Sequence, residues 1–552
     1  MQMSRRSFVR NSALGAAFAF APRLLSETNG VVSRIDVLFD EPLGVISPNI
    51  YGHFTENLGG VVYDGIWVGR DSKVANIGGI RKTLVEALRE IRSPVIRWPG
   101  GCFADSYDWH DGIGPADKRP RRTNFWADDP QARGQGNVPQ KFDPNQFGTD
   151  EFVQFCRLAG SEPYIAGNVR SLSVMDFDRW VEYCNSPAGS TTLADQRAAD
   201  GNREPFNVRY WGIGNEQWGC GGNFTPAEYA SELRRILAYL PRYGLDLSFI
   251  ASGPNVDDWN WTRGFLQALA SKGPDQLLSV YGLSLHYYAW NLSRGRTEDW
   301  IAGKGDAVKF DPVDWYELLV QGQRLESLIE GHWQVMSELD PAHHVKLVVD
   351  EWGPWYRPGS EVRPTDYLGQ MITLRDAVFS AMSLDIFNRH PEQVAMANCA
   401  QMINCLNSLF IAHDDKLVLT PVYHVFKMYR SHQSGQALRS VFSGPDLQYQ
   451  RDGKSAKIWN LKGSASLRDR ILTLSVVNPS VEQPCQAEIC LYGANVGSGE
   501  VSTLTHNDIH AHNSFDAPTV VTTETKKVEF SGQTFRWTFP ARSVTAFQVS
   551  LV

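Results

Sequence analysis

The sequence predicts an α/β protein, in which a (β/α)8 TIM barrel is joined to an all-β, jelly-roll-like sandwich. Between residues 46 and 409, a short apolar run, a loop rich in Gly, Pro and Asn, and a helical pattern alternate eight times. After residue 438 the pattern changes to alternating strands separated by turns. The chain has 552 residues, which is more than one hydrophobic core usually holds, so two domains are expected.

The eight apolar runs are the predicted barrel strands. In chain order they span residues 46–54, 94–100, 163–169, 208–215, 247–253, 282–287, 345–351 and 394–402. Amphipathic helices are predicted between them, at residues 81–91, 150–159, 226–239, 314–339 and 367–388. Eight units that alternate in this way fit a closed barrel better than an open sheet.

Residues 31–39 also alternate like a strand, but they precede the barrel and have no strand partner nearby in the sequence. We expect them to join the C-terminal sandwich, so that the smaller domain is built from both ends of the chain. Further sandwich strands are predicted at residues 471–477, 487–491, 527–530 and 544–549. The predicted domains are the N-terminal strand at 31–45, the barrel at 46–437 and the sandwich at 438–552.

The first residues predict export. Arg5 and Arg6 precede an apolar stretch at residues 13–21 that ends in small residues, an order typical of a twin-arginine signal. We therefore expect residues 1–30 to be an export signal and the protein to be periplasmic or extracellular. The apolar stretch is too short to span a bilayer, so no stable membrane insertion is expected.

Charge and cysteine content make several function classes improbable. The net charge of −8 comes from interspersed acidic and basic residues without a long basic run, so we expect no nucleic-acid partner. The eight cysteines form no Cys-x-x-Cys motif, and no His-Glu-x-x-His is present, so the usual zinc signatures are missing. We expect no metal, and the sequence implies no organic cofactor. Most cysteines are expected to be buried thiols. Whether Cys485 and Cys490 pair in their strand remains open.

Two glutamates follow predicted barrel strands and are flanked by tryptophans. Glu216 ends the fourth strand in YWGIGNEQW, and Glu351 ends the seventh in LVVDEWGPW. Active-site groups of TIM barrels lie where the strands end, and closure of the barrel places the fourth and seventh strands across from each other. Because the hydrolysis of a glycosidic bond needs two carboxyl groups, this pair predicts a glycoside hydrolase.

We expect a retaining mechanism, with the two carboxyl groups about 5–5.5 Å apart. Glu351 would be the nucleophile and Glu216 the general acid, with its pKa raised by the second negative charge. Having given up its proton, Glu216 would then activate water as the general base. Asn215 is placed to hydrogen-bond the sugar hydroxyl next to the anomeric carbon. We interpret His286 as a hydrogen-bonded neighbour of the site and not as a base.

For two other candidate site residues, composition alone does not decide between a functional and a structural role. Glu56 is either a sugar ligand or an ion-pair partner of Arg97, and Tyr288 is either a pocket residue or a packed aromatic at a strand end.

The chain resembles the α-L-arabinofuranosidases of glycoside hydrolase family 51, in clan A. The matching segments, in the same order as in the family, are residues 50–56 (IYGHFTE), 61–69, 97–101 (RWPGG), 111–115 (DGIGP), the two glutamate motifs and 419–424 (LTPVYH). The resemblance implies that Glu216 is the acid/base and Glu351 the nucleophile. It further implies that Glu56, Asn215, Tyr288 and Gln401 form a sugar pocket. It also implies that Arg97 lies beside the nucleophile.

Three further residues are assigned to the substrate pocket, namely His286, Trp352 and Cys102. Cys102 is a departure, because many family members have Asn after the Pro-Gly-Gly turn. A cysteine there would remove an amide contact to the sugar or replace it with a thiol, which we interpret as tuning of the site and not as loss of activity.

The function implied is the exo-acting removal of terminal α-L-arabinofuranosyl groups from arabinose-containing polysaccharides or oligosaccharides by double displacement. One alternative is an endo-β-1,4-glucanase or xylanase of the same clan that uses the same two glutamates. Another is a carbohydrate-binding protein that has lost catalysis, although the presence of both Glu216 and Glu351 argues against it. By resemblance alone, the chain would form a homo-oligomer, specifically a hexamer.

Overall fold

The computed structural model describes residues 33–128, 142–292, 297, 299–359, 361–362 and 367–552. The predicted export signal at residues 1–30 lies outside the described residues. In the part of the chain that is described, no helix is both long enough and apolar enough to cross a membrane.

The strands are numbered in chain order. They are β1 (Ser33–Val45), β2 (Gly52–Phe54), β3 (Asn76–Ile77), β4 (Ile80–Arg81), β5 (Val95–Trp98), β6 (Arg122–Thr123), β7 (Phe142–Asp143), β8 (Glu162–Gly167), β9 (Tyr210–Ile213), β10 (Ser248–Ala251), β11 (Gly282–Ala289), β12 (Lys346–Pro354), β13 (Val394–Ala400), β14 (Phe410–His413), β15 (Lys416–Leu419), β16 (Gln436–Ser443), β17 (Leu447–Arg451), β18 (Lys454–Ile458), β19 (Lys462–Arg468), β20 (Ile471–Asn478), β21 (Cys485–Tyr492), β22 (Val496–Leu504), β23 (Thr523–Glu529), β24 (Thr534–Phe539) and β25 (Ser543–Leu551).

The α-helices of the described residues are α1 (Lys82–Ile91), α2 (Thr149–Ala159), α3 (Val174–Asn185), α4 (Thr192–Ala199), α5 (Pro226–Leu237), α6 (Trp259–Ala270), α7 (Pro312–Leu339), α8 (Leu374–Arg389) and α9 (Pro421–Tyr429). Several begin at a side-chain cap of the kind that satisfies the unpaired N–H groups of a first turn. Thr225 and Asp311, for example, both accept hydrogen bonds from the N–H groups of the helix that follows, and in both helices proline is the first residue.

Eight parallel strands form a closed barrel, which confirms the predicted fold class. Their order around the barrel is β2, β5, β8, β9, β10, β11, β12 and β13, and the pairing of β13 with β2 closes the ring. Each strand falls on one of the eight apolar runs in the sequence. The run reads as apolar because a barrel strand is buried on both faces, by the barrel interior on one side and the helices on the other.

One helix begins later than its periodicity predicts. The pattern predicts a helix from residue 367, but α8 starts at Leu374, where Thr373 and Asp376 form a capping box. The Thr373 N–H donates to the Asp376 carboxylate at 2.7 Å. The cap fixes the first turn, and the preceding apolar residues Tyr367 and Leu368 instead line a pocket at the top of the barrel.

The second domain is a nine-stranded sheet with its own core. Its order is β23, β22, β25, β20, β19, β16, β1, β21 and β24, so β1 lies between β16 and β21. It pairs antiparallel with β16 and parallel with β21. The N-terminal strand therefore joins the C-terminal sheet as predicted, and Ile35 and Val37 are fully buried in its core. The predicted limit between residues 437 and 438 falls within β16.

Helix α8 and the sheet share a buried polar network. Asp385, on α8, accepts hydrogen bonds from the hydroxyls of Ser464 at 2.7 Å, Ser475 at 2.5 Å and Tyr429 at 3.0 Å. Burial raises the pKa of Asp385 to about 6, although the hydrogen bonds oppose this. The network fixes one face of the barrel against the sheet through directional contacts in addition to apolar packing.

Trp315 makes a second contact between the domains and gives a test of it. Its ring is fully buried, and its Nε1–H donates to the Pro479 carbonyl at 2.9 Å. Trp315→Ala should reduce stability by about 3–5 kcal/mol, because it opens a cavity and leaves that carbonyl without its donor. A clear fall in the thermal unfolding temperature is expected by calorimetry. Tyr239→Ala is the control, since the Tyr239 side chain is fully exposed, and its unfolding temperature should not change.

Candidate active site

A pocket of about 420 Å³ opens where the barrel strands end, the position that serves catalysis in TIM barrels. The described residues that contribute carboxyl, imidazole, phenol or amide groups to its wall are Glu56, Asn215, Glu216, Asn255, His286, Tyr288, Glu351, Tyr367 and Gln401. Barrel closure therefore brings together groups that are up to 345 positions apart in the sequence.

Glu351 lies on β12, where the strand gains an extra residue relative to β11. Ser284 is paired with Val348, but His286 is paired with Glu351, so two residues of β12 lie opposite the single residue Leu285 of β11. This bulge changes the simple alternation of side chains. Glu351 consequently points into the pocket, where it is 6% exposed.

Three side chains hydrogen-bond or charge-pair with the Glu351 carboxylate. Arg97 Nη1 donates to Oε1 at 2.8 Å, and the Tyr288 hydroxyl donates to Oε2 at 2.8 Å. Burial acts to raise the pKa of Glu351, but the charges of His286 and Arg97 and these two hydrogen bonds outweigh it. The pKa is lowered, so the carboxylate is held ionised, as a nucleophile requires.

Glu216 lies in the loop after β9, and its backbone has φ +43°, which is rare for a residue other than glycine. Its Oε1 atom accepts a hydrogen bond from His286 Nδ1 at 3.0 Å, and the same nitrogen is 3.7 Å from Glu351 Oε2. Carboxylate oxygens of Glu216 and Glu351 lie within 4.8 Å of each other. The two glutamates thus face one another across the pocket.

His286 bridges these two carboxylates. Burial lowers its pKa, but the charge of Glu351 and the hydrogen bond to Glu216 outweigh that effect, so the pKa is raised above its ordinary value. The imidazole therefore favours its protonated form, which stabilises negative charge on both neighbours.

Glu56 is a third carboxyl in the pocket. Its Oε1 accepts hydrogen bonds from the N–H groups of Gly101 at 3.1 Å and Phe103 at 3.0 Å, and Gln401 Nε2 donates to Oε2 at 3.3 Å. Burial and the charge of Glu351 raise its pKa to about 8. A side chain at Gly101 would place Cβ 2.9 Å from Glu351 Oε1, so only glycine allows both carboxylates this close to the loop.

Aromatic rings form the outer wall of the pocket. The tryptophans that line it are Trp126, Trp218, Trp290, Trp300 and Trp355. The Lys304 ammonium lies between the rings of Trp300 and Trp355, at 4.1 and 4.3 Å from their centroids, and this cation–π contact fixes both rings. Flat apolar faces above a polar floor suit a sugar, whose ring also has apolar and polar sides.

The structure brings most of the predicted site residues together, but not all. Trp352 does not reach the pocket; its ring is 1% exposed and packs against Phe387 and Phe426 on the outer side of the barrel. Its assignment to the substrate pocket is therefore corrected. The physical reason is that neighbouring residues of a strand point to opposite faces, so a tryptophan directly after Glu351 must face the helices.

Arg97 and Cys102 differ from the prediction in a smaller way. Arg97 lies behind the pocket wall, 1% exposed, and contacts Glu351 and Asn215. Cys102 does line the pocket, but as a disulfide with Cys220, so it offers no thiol. Cys485 and Cys490, whose pairing the sequence left open, are both thiols.

Several residues of the site were not predicted from the sequence. Cys220 and Asp105 were passed over, as were the wall aromatics Trp126, Trp300 and Tyr367. Cys220 lies four residues after Glu216, which was a usable signal. Asp105 and the wall aromatics are on loops after other strands, and nothing in a single sequence shows which loops meet.

Glu56 gives a test of the electrostatics of the pocket. Its pKa is about 8 when folded and ordinarily about 4.5, so between these pH values the unfolded chain releases a proton that the folded chain retains. This carboxyl therefore makes the free energy of unfolding fall as pH rises through the window, by at most about 5 kcal/mol. Glu56→Gln removes the effect, so the unfolding temperature of the variant should rise relative to that of the wild type as the pH increases from 4.5 to 8.

Unfolding temperatures at a series of pH values check this expectation. Glu86→Gln, at an exposed position of α1, is the matched control. A difference between Glu56→Gln and wild type that stays constant across the window would show that burial and Glu351 do not hold the proton on Glu56.

Comparisons with known proteins agree with the geometry. Two family models match, the α-L-arabinofuranosidase 1 domain over residues 87–293 and the α-L-arabinofuranosidase C-terminal domain over residues 350–543. The intracellular exo-α-L-arabinofuranosidase of Bacteroides ovatus is 34% identical over 94% of this chain and 95% of its own length.

Solved structures of arabinofuranosidases are also similar to this chain. The GH51 arabinofuranosidase from Xanthomonas axonopodis pv. citri is 34% identical, with a TM-score of 0.85 over 94% of this chain and 100% of its own. The Thermotoga maritima α-L-arabinofuranosidase in complex with arabinose is 29% identical, with a TM-score of 0.79 over the same shares.

The predicted export is contradicted by these comparisons. The Bacteroides ovatus relative, which matches over most of the chain, is an intracellular enzyme. The interpretation of residues 1–30 as a twin-arginine signal, and of the protein as secreted, is therefore wrong; an arginine pair before an apolar stretch is also found at N-termini that are simply basic. The resemblance drawn from the sequence motifs, in contrast, is confirmed. The chain belongs to the α-L-arabinofuranosidases of glycoside hydrolase family 51.

Proposed function

We propose that this protein is a retaining, exo-acting α-L-arabinofuranosidase that releases terminal non-reducing α-L-arabinofuranosyl residues from polysaccharides or oligosaccharides. The observation that carries the proposal is the pair of glutamates in one pocket, with carboxylate oxygens of Glu216 and Glu351 within 4.8 Å. Retaining glycosidases have carboxyl groups about 5–5.5 Å apart, whereas inverting enzymes leave about 6.5–9.5 Å for a water molecule.

In the first half-reaction, Glu351 attacks the anomeric carbon and Glu216 transfers its proton to the departing oxygen. The new bond joins a Glu351 oxygen to the anomeric carbon, and the bond to the leaving group breaks with its electron pair. Arg97 and Tyr288 hold the Glu351 carboxylate at 2.8 Å each, which leaves it little freedom to rotate away from the sugar.

In the second half-reaction, Glu216 acts as a base. It takes a proton from water, the water oxygen bonds to the anomeric carbon, and Glu351 leaves as a carboxylate. While Glu351 is an ester it carries no charge, and the cationic His286 then has Glu216 as its nearest anionic partner. His286 thereby keeps its hydrogen bond to Glu216 at the step in which Glu216 takes a proton from water.

The remaining polar groups of the pocket are suited to binding the hydroxyls of one terminal sugar. Asn215 is adjacent to the acid/base, while Glu56 and Gln401 form a hydrogen-bonded pair elsewhere in the lining of the pocket. A pocket of about 420 Å³ suits one terminal unit and the start of its leaving group better than a long internal stretch of polymer. This supports exo action over the endo-glucanase or xylanase alternative.

The relatives also favour this function, because the Bacteroides ovatus protein is named an exo-α-L-arabinofuranosidase. A protein that only binds carbohydrate would gain nothing from two ionisable carboxyls that face one another, since their repulsion would oppose folding. The hexamer implied by the family resemblance stays a prediction, and analytical ultracentrifugation would test it.

The nucleophile is tested by Glu351→Ala. Removal of this carboxylate should reduce turnover of 4-nitrophenyl α-L-arabinofuranoside to background, because the group proposed to form the glycosyl-enzyme is then absent. Azide should fill the vacated space and give an arabinofuranosyl azide of inverted configuration, identified by NMR. Residual hydrolysis near the wild-type rate would refute the assignment. Glu317→Ala is the control, because Glu317 is buried but lies far from the pocket in an ion pair with Arg451.

The acid is tested by Glu216→Ala with two leaving groups. For methyl α-L-arabinofuranoside, whose leaving group needs a proton, kcat/KM should fall by about 10²–10⁴-fold. For the 4-nitrophenyl glycoside, whose leaving group needs little assistance, the fall should be much smaller, and azide should give a product of retained configuration. Equal losses on both substrates would contradict the acid role of Glu216.

A further inference from the structure

The loop that carries Glu216 is held in a conformation it would not adopt by itself. Glu216 has φ +43° and the preceding Gly214 has φ +78°. Left-handed backbone at a residue other than glycine is unfavourable and persists only where surrounding contacts impose it. Hydrogen bonds within the loop, from the N–H groups of Gly219 and Gly221 to the Glu216 carbonyl, close a turn but do not attach it to the barrel.

Several contacts attach the loop to the barrel, among them the Gln217 N–H to Ser252 Oγ at 3.0 Å and Arg97 Nη2 to Asn215 Oδ1 at 2.7 Å. The contact that reaches both sides of Glu216 comes from Asp105, which lies in a short helical turn after β5 and is fully buried. Its Oδ2 atom accepts hydrogen bonds from the Asn215 N–H at 2.9 Å and from Gln217 Nε2 at 3.0 Å. These two residues flank Glu216 on either side. The carboxylate therefore holds the chain immediately before and immediately after the acid/base.

The other oxygen of Asp105 attaches a third loop. Oδ1 accepts hydrogen bonds from the N–H groups of Val169 at 2.7 Å and Arg170 at 3.1 Å, in the loop after β8. One buried carboxylate thus binds four donors from the loops that follow the third and fourth barrel strands. An ionised carboxylate accepts at both oxygens, so it can satisfy all four donors, whereas an amide has only one acceptor oxygen.

We propose that Asp105 is a positioning residue for the acid/base, which keeps Glu216 in its left-handed backbone conformation and so aims its carboxyl at the leaving-group oxygen. The inference rests on the proposed function, in which Glu216 is the proton donor. Asp105 does not line the pocket, so it acts through Glu216 and not on the sugar.

The Cys102–Cys220 disulfide provides a second attachment of the same two loops. Cys102 lies three residues before Asp105, and Cys220 lies four residues after Glu216. The Cys220 sulfur is 3.7 Å from Glu216 Oε2, so it limits where that carboxyl can move. The disulfide holds the far end of the loop, while Asp105 holds the residues next to Glu216. Release of Asp105 should therefore change the aim of Glu216 without detaching the loop.

The test is Asp105→Asn, which keeps the size of the side chain but replaces an acceptor oxygen with a donor. We expect kcat/KM for methyl α-L-arabinofuranoside to fall at least about tenfold more than kcat/KM for the 4-nitrophenyl glycoside, because only the first needs a well-aimed proton. Azide should accelerate turnover of the 4-nitrophenyl glycoside and give the product of retained configuration. Equal losses on both substrates, without an azide effect, would mean that Asp105 is merely structural.

A double-mutant cycle separates action through Glu216 from a general defect. In the Glu216→Ala background, Asp105→Asn should change kcat/KM by about twofold or less, since the group it positions is absent. Additive losses would overturn the proposal. Asp376→Asn is the matched control: Asp376 is also fully buried and accepts several hydrogen bonds, but from Tyr356 and Thr373, away from Glu216. Its losses should be equal on both substrates.

A second variant covers the case in which Asp105→Asn does not fold. Gln217→Met removes one donor to Asp105 at similar side-chain volume, and Gln217 is fully buried and does not line the pocket. Gln217→Met should also lose more kcat/KM on the methyl glycoside than on the 4-nitrophenyl glycoside, by a smaller factor than Asp105→Asn. A folded Gln217→Met without this difference would count against the inference. If Glu216→Ala itself shows no leaving-group dependence, the proposed function fails; if it does and the loop variants do not, only this inference fails.

Discussion

The site depends on one buried cation, the guanidinium of Arg97. It is 1% exposed, donates to Glu351 at 2.8 Å and to Asn215 at 2.7 Å, and so joins β5, β12 and the loop after β9. Glu56, Asp350 and Glu351 are all buried near it, and without a positive charge their mutual repulsion would oppose barrel closure. Arg97 thus makes a cluster of acids compatible with a folded barrel and helps to lower the pKa of Glu351.

Around that charge, each carboxyl obtains a different environment. Glu351 has two hydrogen-bond donors and two neighbouring cations, which lower its pKa. Glu56 has backbone donors but is buried beside the charge of Glu351, and its pKa is raised. Glu216 is more exposed, and His286 bridges it to Glu351. In the proposed mechanism, the same residue type therefore serves as nucleophile, proton donor and neutral hydrogen-bonding group within one pocket.

Much of this could be predicted from the sequence. The eight barrel strands, the addition of β1 to the C-terminal sheet, and the strand-end positions of Glu216 and Glu351 follow from local hydrophobic patterns, which reflect burial on one or both faces of a strand. Two errors in the predicted site arose because distance along the sequence does not show which side chains meet. Trp352 was placed in the pocket because it is next to Glu351 in sequence, although strand geometry turns it outward. Cys102 was treated as a thiol because its partner lies 118 positions away.

The sequence by itself determined the fold class, the family and the strand-end positions of the two glutamates. The family and the glutamates follow from short motifs, and the fold class follows from a local pattern that recurs eight times. The tertiary structure alone decided which side chains meet: the disulfide of Cys102 with Cys220, the bridge of His286 between the glutamates, and the hold of Asp105 on the loop of Glu216. Contacts of this kind join loops that follow different strands. Their distances are set by barrel closure, which is a property of all eight strands together and of no single segment.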